Sequence, residues 1–202
     1  MLLRGQDVQT KVRAWAAAGS DARMNGCEMP VYINSGSGNQ GITVTVPVVV
    51  YGRETGKTQE QIYRALLVSN LVAIHIKTGI GTLSAYCGAV SAGVAAGCAI
   101  AYMEDGSYEA IAHTLINAIA IDSGLICDGA KASCAAKIAS SVDSGLLGYE
   151  MYKQGNNFRG GDGILQDDVE HTIRTWAAWP ATVWLVPIRK SSALWWKANK
   201  PR

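Results

Sequence analysis

Apolar residues recur at helical spacing along most of the chain. The clearest case is a stripe formed by Ile62, Leu66 and Ala73, which follows a capping box made by Thr58 and Gln61. Helices are predicted over residues 6–18, 58–77, about 108–121 and about 130–150, and a further helix start at "DDVEHTIRTW". This pattern predicts a mainly α fold with Gly-rich loops between the helices.

Residues 78–103 carry no charged side chain. A membrane span needs roughly 20 apolar residues, so the length raises that alternative. Between Thr82 and Met103, however, seven residues are Ala, three are Gly and two are Ser. Small residues in such numbers favour a helix packed on every side inside a protein core, and no membrane association is expected.

The segment "ITVTVPVVVY", residues 42–51, follows the Gly-rich loop "NSGSGNQG" and has two alternatives. Its β-branched residues favour a strand. Pro47 lies in the middle, where proline cannot donate a hydrogen bond to a sheet. Either a short strand or an extended entry into a buried helix is compatible with these residues.

Composition narrows the class of protein. The 202 residues suffice for one domain with a sizeable core, 49% of them are hydrophobic and the net charge is +2. This charge gives no indication of nucleic-acid binding. The start, "MLLRGQDVQTKVRAW", lacks the apolar run of a signal peptide, and a cytoplasmic location is therefore predicted.

Five cysteines, Cys27, Cys87, Cys98, Cys127 and Cys134, form an odd set. An odd count without a leader argues against a disulfide framework. Buried thiols, a catalytic thiol and ligands of a soft metal remain open, and the sequence contains no C-x-x-C pair that would favour a metal. Two histidines, His75 and His113, lie among apolar residues and are interpreted as core residues rather than ligands.

Two further features could carry chemistry. The loop formed by Ser35, Gly36, Ser37, Gly38 and Asn39 can present backbone N–H groups and hydroxyls to an anion such as a substrate carboxylate. It has neither the Walker ending nor a dinucleotide fingerprint, so an ordinary turn is the alternative. The second feature is Lys131, one helical turn after Cys127, which could hold a carboxylate or move a proton, or lie in solvent.

Four segments carry a family resemblance: "SDARMNGC", "NSGSGNQGITVTVPVVVY", "LSAYCGAVSAGVAAG" and "GLICDGAKASCAAK". They closely resemble the C-terminal half of L-cysteine desulfidases and, more distantly, the α-chain of iron–sulfur L-serine dehydratases. The resemblance covers roughly residues 1–175 in register.

The resemblance implies a helical domain that holds a [4Fe–4S] cluster on three cysteines. Cys87, Cys127 and Cys134 match the dehydratase ligand pattern, although the second step, from Cys127 to Cys134, is shorter here. In the desulfidases the third ligand is instead implied in a "CTEP"-like motif, which this chain lacks. Neither Cys27 nor Cys98 takes a family role.

The implied activity is elimination on L-cysteine, giving pyruvate, ammonia and sulfide, or on L-serine, giving pyruvate and ammonia. No pyridoxal phosphate is implied. The loop Ser35–Asn39 would hold the carboxylate of this small amino-acid substrate, and Lys131 would stabilise charge or transfer a proton. The alternative is a non-catalytic remnant or scaffold subunit.

Full-length relatives of the family are about twice as long, which implies a separate chain for the N-terminal half, a homo-oligomer or a truncated remnant.

From residue 176 the chain becomes Trp-rich, with five of its six tryptophans in residues 176–202 and no clean period. One DNA stretch can encode "WAAWPATVWL" and, in another frame, a family-like sequence. We therefore expect a domain over 1–175 and an atypical tail over 176–202, produced by a frameshift near Arg174 to Trp176 that replaced a helix.

Overall fold

Helices account for all the regular secondary structure that a computed structural model describes in this chain, over residues 7–81, 84 and 86–179. They are α1 (Val8–Met24), α2 (Gly38–Glu54), α3 (Gln59–Ile80), α4 (Gly88–Glu104), α5 (Tyr108–Asp122), α6 (Ser133–Lys153) and α7 (Val169–Trp179). The prediction of a mainly α fold is confirmed.

Helix α4 lies at the centre of the bundle. It contacts α2, α3, α5 and α6, whereas α1 covers α2 and α6, and α7 packs on α3 and α5. Every residue from Ala89 to Ala101 is buried, so this uncharged helix is surrounded by protein as its composition predicted. Over the described parts of the chain, none of the helices combines the length and apolarity that a membrane crossing requires.

Glycines bring α4 and α6 into backbone contact. A methyl group added at Gly93 would lie 2.4 Å from the carbonyl carbon of Ser141, and one added at Gly97 would lie 2.5 Å from the carbonyl oxygen of Gly145. Since such distances are far shorter than any real Cβ contact, larger residues at these positions would force the two helices apart.

The β-branched segment is helical throughout, as part of α2. Pro47 lies inside this helix, and the stretch from Gly38 to Val44 is buried. The Ser69 hydroxyl on α3 donates to the Val44 carbonyl at 2.8 Å, which joins the two helices. Burial against neighbouring helices therefore overrides the strand preference of these residues, a preference that reflects context more than backbone chemistry.

Side-chain caps mark the starts of helices α3 and α5, whereas helix α1 continues past its predicted end. Thr58 and Gln61 form the predicted capping box of α3, and the Ser107 hydroxyl accepts from the Ala110 N–H at the start of α5. Helix α1 does not end at Gly19-Ser20 but continues to Met24. Ser20 is buried, and Gly19 packs closely on Ile42, so tertiary packing carries α1 past the glycine.

Helix α7 crosses the predicted boundary between residues 175 and 176. Trp176 is fully buried, it stacks on Tyr86 with ring centroids 4.9 Å apart, and its indole Nε1 donates to the Ser123 carbonyl at 3.0 Å. Helical structure thus extends to Trp179, where no helical period was predicted. The remainder of the predicted tail, 180–202, lies outside the described residues.

The two histidines that were interpreted as core residues, His75 and His113, differ in environment. His75 is half exposed and pairs with Glu170 at 2.8 Å, so its interpretation as a core residue was wrong. His113 is partly buried and stacks on the Tyr152 ring at 5.8 Å. The stripe of α3 that faces the core passes through Ile76, one position away from His75, which places the imidazole at the surface.

Candidate functional site: a cleft lined by three cysteines

A cleft of about 200 Å³ lies where the starts of three helices come together. Its wall is formed by the N-terminal ends of α2 and α4, the loop before α6 and the last turns of α3. The lining residues are Gly36, Ser37, Asn39, Gln40, Lys77, Ser84, Tyr86, Cys87, Gly88, Ala89, Cys127, Gly129, Ala130, Cys134 and Ile138. All three cysteines that the resemblance implied as ligands therefore line one cleft.

Cys87 caps the N-terminus of α4 and is buried. Its N–H donates to the Leu125 carbonyl at 2.9 Å, and the preceding residue, Tyr86, forms an antiparallel bridge with Ile126. These backbone contacts hold the Cys87 segment beside the segment that carries Cys127, although 40 residues separate the two thiols in sequence.

Cys134 lies in the first turn of α6 and is partly buried, whereas Cys127 is exposed in the loop before it. The Lys131 N–H donates to the Cys134 Sγ at 3.5 Å, and this thiol contacts the Gly129 carbonyl at 3.6 Å. The loop therefore wraps around the Cys134 sulfur.

Lys137 fastens the loop to α6. Its Nζ donates to the Ile126 carbonyl at 3.0 Å and forms an ion pair with Asp128. The hydrogen bond from Lys137 lowers the pKa of the Asp128 carboxyl, and Asp128 in turn raises the pKa of Lys137. Cys127 lies between the two residues that this lysine holds.

The Gly-rich loop enters the cleft through a tight turn. Asn34 and Ser37 exchange backbone hydrogen bonds of 3.3 and 3.0 Å, and the residues between them, Ser35 and Gly36, both have positive φ, 48° and 85°. Positive φ at both central positions is the signature of a type I′ turn. The strain at Ser35 is local, and its hydroxyl donates to the Asn34 side-chain oxygen at 2.8 Å.

The five loop residues predicted to bind substrate divide into two groups. Gly36, Ser37 and Asn39 line the cleft, whereas Ser35 and Gly38 do not. Even Asn39 is already engaged, since its side-chain oxygen accepts from Arg23 at 3.0 Å. Gly38 packs against the same guanidinium, which would have to shift to admit a side chain at that position.

Lys131 is exposed and is not among the residues that line the cleft. Its backbone, rather than its ammonium group, contacts Cys134. A role for its side chain in proton transfer stays a prediction.

Two buried polar residues of the cleft were missed by sequence reasoning. Lys77, in the last turn of α3, is only 4% exposed, and Gln40, in the first turn of α2, is 5% exposed. The Gln40 Oε1 is buried and has no hydrogen-bond partner among the described residues. For Lys77 the signal was present in the sequence, because it lies four residues after Ala73 and one after Ile76, at the edge of the buried stripe of α3.

Burial dominates the electrostatics of the cleft. It raises the pKa of the Cys87 thiol, with the Cys127 thiol adding to the rise and Lys137 opposing it. It lowers the pKa of Lys77, whereas the thiols of Cys127 and Cys87 act in the opposite direction. The Lys77 ammonium and the Cys87 thiolate are thus each disfavoured alone and favoured by a partner of opposite charge.

The remaining cysteines lie elsewhere. Cys98 is fully buried in the core, where burial raises the pKa of its thiol, and Cys27 is exposed on another face near Met29. Within 7–81, 84 and 86–179, no three His, Cys, Asp or Glu side chains converge on a point that could hold a single metal ion. All five cysteines are free thiols.

Comparison with known proteins shows the family of this chain. A family model described as the serine dehydratase alpha chain matches residues 2–179. The chain belongs to the serine dehydratase alpha chain family. This finding bears out the family part of the resemblance, and the match ends at the last residue of α7.

Curated relatives carry the name UPF0597 protein. That of Desulfitobacterium hafniense is 60% identical over 169 residues, which are 84% of this chain and 39% of the relative. Those of Finegoldia magna and Treponema denticola are 58% and 59% identical over 83% and 84% of this chain, and over 40% of each relative. The chain thus spans about two fifths of these relatives' length. No solved structure matches it.

Proposed function

We propose that this family member forms the cluster-binding part of a pyridoxal-phosphate-independent lyase. The substrate would be L-serine, giving pyruvate and ammonia, or L-cysteine, giving sulfide as well. The observation that carries the proposal is the meeting of Cys87, Cys127 and Cys134 at one cleft, since Cys87 comes from a segment 40 residues before the one that carries the other two. Membership of the serine dehydratase alpha chain family supports the same conclusion.

The donor set suits a [4Fe–4S] cluster. Thiolates are the usual ligands of such clusters, and three of them would leave one iron open. A mononuclear ion needs donors that converge on one point, whereas the thiolates of a cluster each bond a different iron. The starts of α2, α4 and α6 at the cleft favour negative charge, as carried by thiolates and by a carboxylate.

Each group at the cleft then has a task. When bound, the cluster would supply a Lewis-acidic iron for the hydroxyl or thiol that leaves the substrate. Ser37 and the backbone around Gly36 and Asn39 would bind the substrate carboxylate. Lys131 would move a proton or stabilise charge once its exposed side chain turns toward the site. Tyr86, stacked under Trp176, would close one wall against water.

Anaerobic reconstitution with iron and sulfide tests the proposal. We expect a brown protein with thiolate-to-iron absorbance that converts L-serine or L-cysteine to pyruvate. Cys87→Ala and Cys127→Ala should lose the absorbance, while Cys27→Ser, an exposed cysteine outside the cleft, should keep it. Absorbance in the parent that survives both cleft substitutions would refute the assignment of the ligands. A cluster that forms without turnover would favour the scaffold-subunit alternative.

The third ligand has its own test. If Cys134 completes the set, Cys134→Ser should lose cluster absorbance as Cys87→Ala does. If a cysteine of a separate chain completes it, as the desulfidase resemblance implies, Cys134→Ser should keep the cluster when that chain is present.

A partner chain is proposed on two observations. The relatives are about two and a half times as long as the matched region. In addition, α3 exposes an apolar stripe, Tyr63, Leu67, Leu71 and Ile74, whose members are from 48% to 65% exposed. Their spacing puts them on one helix face, and such a face indicates a contact surface. We infer that the segment corresponding to the relatives' remaining length covers it.

Co-expression tests the partner. The unmatched segment of the Desulfitobacterium hafniense protein should co-purify with this chain, and the double substitution Leu67→Glu and Leu71→Glu should abolish the complex. Tyr108→Glu, on an exposed aromatic residue of α5, is the control. Co-purification that survives the double substitution would show that the stripe is not the contact; self-association in its place would favour a homo-oligomer.

The cytoplasmic location and the frameshifted tail stay proposals. Free thiols that bind a cluster need a reducing compartment, which supports the first. Independent sequencing reads of the gene test the second: an error should disappear in raw reads, whereas a genuine frameshift should persist in every one.

A further inference from the structure

Lys77 is a buried cation without a carboxylate partner. It is 4% exposed, it lines the cysteine cleft, and within the described residues it forms no ion pair. Most other lysines in the described residues form ion pairs with acidic side chains, as Lys137 does with Asp128. Burying an ammonium group is costly unless an anion accompanies it, so the position of Lys77 calls for an anionic ligand.

A second residue of the cleft, Gln40, has unused hydrogen-bonding capacity. The Gln40 side chain packs directly on Gly88, where an added methyl group would lie 2.5 Å from the amide carbon and nitrogen. Its Oε1 is buried without a hydrogen-bond partner in the part of the chain that the structure describes, although the residue lines the cleft. This oxygen only accepts hydrogen bonds, but a half-turn about the Cγ–Cδ bond exchanges it with the amide nitrogen, whose N–H groups can donate to a carboxylate.

The N-terminal ends of two helices also favour a negatively charged ligand in this cleft. Gln40 lies in the first turn of α2, and Gly88 begins α4, so the positive ends of both helices face the same space. The Gly-rich loop contributes no charge, and Asn39 is already bonded to Arg23. Lys77 is therefore the only cation among the residues that line this cleft within the described parts of the chain.

We propose that Lys77 and the Gln40 amide form the subsite that holds the carboxylate of a small α-amino or α-keto acid in this cleft. The inference rests on the proposed function for the identity of the substrate, and it extends it by moving the charge recognition from the loop Ser35–Asn39 to α3 and the start of α2. The buried charge of Lys77 would then select a carboxylate, and the loop Ser35–Asn39 would form the remaining wall of the cleft.

Pyruvate binding to the cluster-free protein tests the subsite without any catalysis. Pyruvate should bind the parent and raise its Tm, because the ligand binds only the folded state. Lys77→Met should weaken binding roughly tenfold or more, since a hydrogen bond to a charged group contributes about 1.5–3 kcal/mol. Lys77→Arg should retain part of the affinity, and Gln40→Glu should lose it by offering Lys77 an internal anion. Lys153→Met, at the end of α6, should bind as the parent does.

The outcomes separate the two proposals. Pyruvate affinity that is unchanged in Lys77→Met, or absent in the parent at millimolar concentration, overturns the subsite. Loss of cluster assembly in Lys77→Met together with unchanged pyruvate binding also overturns it, because the lysine would then serve the thiols alone. Lys77-dependent pyruvate binding in a protein that assembles no cluster upholds the subsite while the proposed lyase chemistry fails.

Discussion

Gly97 of α4 and Gly145 of α6 meet backbone to backbone: a methyl group on the first would lie 2.5 Å from the carbonyl oxygen of the second. The two helices carry different walls of the cysteine cleft, since Cys87 caps α4 and Cys134 lies in the first turn of α6. The spacing of these thiols therefore depends on a close helix contact that only glycine permits.

Substitution of Gly97 tests this dependence. Gly97→Ala should destabilise the protein by about 1–3 kcal/mol, because the added methyl group overpacks the interface, and this loss exceeds the gain in helix propensity. Urea unfolding measures the change. Gly124→Ala is the control, since nothing lies within 4 Å of the added methyl group and its backbone requires no positive φ. Equal stability of the two variants would contradict the close contact.

Trp176 fixes both cysteine-bearing segments at once, by stacking on Tyr86 and donating to the Ser123 carbonyl. Trp176→Phe should cost about 1 kcal/mol for the lost hydrogen bond, and Trp176→Ala about 3–5 kcal/mol for the cavity. Hydrogen exchange should rise at residues 86–90 in Trp176→Ala, which removes the stacking on Tyr86, and at residues 123–127 in both variants, which lose the bond to Ser123. Trp15→Ala, on a residue that is 59% exposed, should change stability by less than about 0.5 kcal/mol. Unchanged exchange at 86–90 in Trp176→Ala would argue against the clamp.

The helices could be predicted because their signals are local. The capping box at Thr58, the cap at Ser107 and the uncharged small-residue helix α4 all depend on neighbours within a few residues. Helix α2 could not, since its β-branched sequence is decided by burial against other helices. The end of α1 failed for the same reason: Gly19 is a packing contact there and not a stop signal.

Lys137 should control the mobility of the loop that carries Cys127, through its bonds to Ile126 and Asp128. Lys137→Met should increase hydrogen exchange at residues 126–129, while global stability falls by no more than about 1 kcal/mol, as is usual for an ion pair with an exposed partner. Lys153→Met removes an ion pair at the other end of α6 and should leave the loop unchanged. Protection of 126–129 equal to that of the parent would contradict the role.

Asp122, the last residue of α5, should make stability depend on pH. Burial raises the pKa of its carboxyl, against the opposing hydroxyls of Ser141, Ser144 and Ser140, and its Oδ2 has no hydrogen-bond partner among the described residues. A folded-state pKa above the unfolded value means that stability is fullest below the unfolded pKa and falls as pH rises through the folded pKa.

Asp122→Asn removes this titration. It should stabilise the protein at pH 7, and the gain should vanish as pH falls to about 4, near the unfolded pKa of aspartate. Urea unfolding at both values measures the difference. Asp21→Asn, on an exposed aspartate of α1, should show no such pH-dependent gain. A loss of stability at pH 7 in Asp122→Asn would contradict the assignment.

Only part of the candidate site could be predicted from the sequence. The family pattern brought Cys87, Cys127 and Cys134 together, and the Gly-rich loop was identified as an anion-binding candidate before its turn was known. Lys77 was missed because it belongs to no motif, and Gln40 because the predicted substrate-binding loop ended one residue before it, at Asn39. Each reaches the cleft only when α2, α3 and α4 pack. Lys131 was predicted because it lies close to Cys127 in the sequence, yet its side chain lies in solvent.

The wall of the cleft is assembled from residues between Gly36 and Ile138, drawn from four separate segments. A molecule that binds there contacts parts of the chain that separate on unfolding. The concentration of this ligand therefore affects the stability of the folded state. At a hundred times its dissociation constant, such a ligand adds about 2.7 kcal/mol to the free energy of unfolding. Where proteolysis acts on transiently opened molecules, abundance of the metabolite would then govern how long each copy lasts.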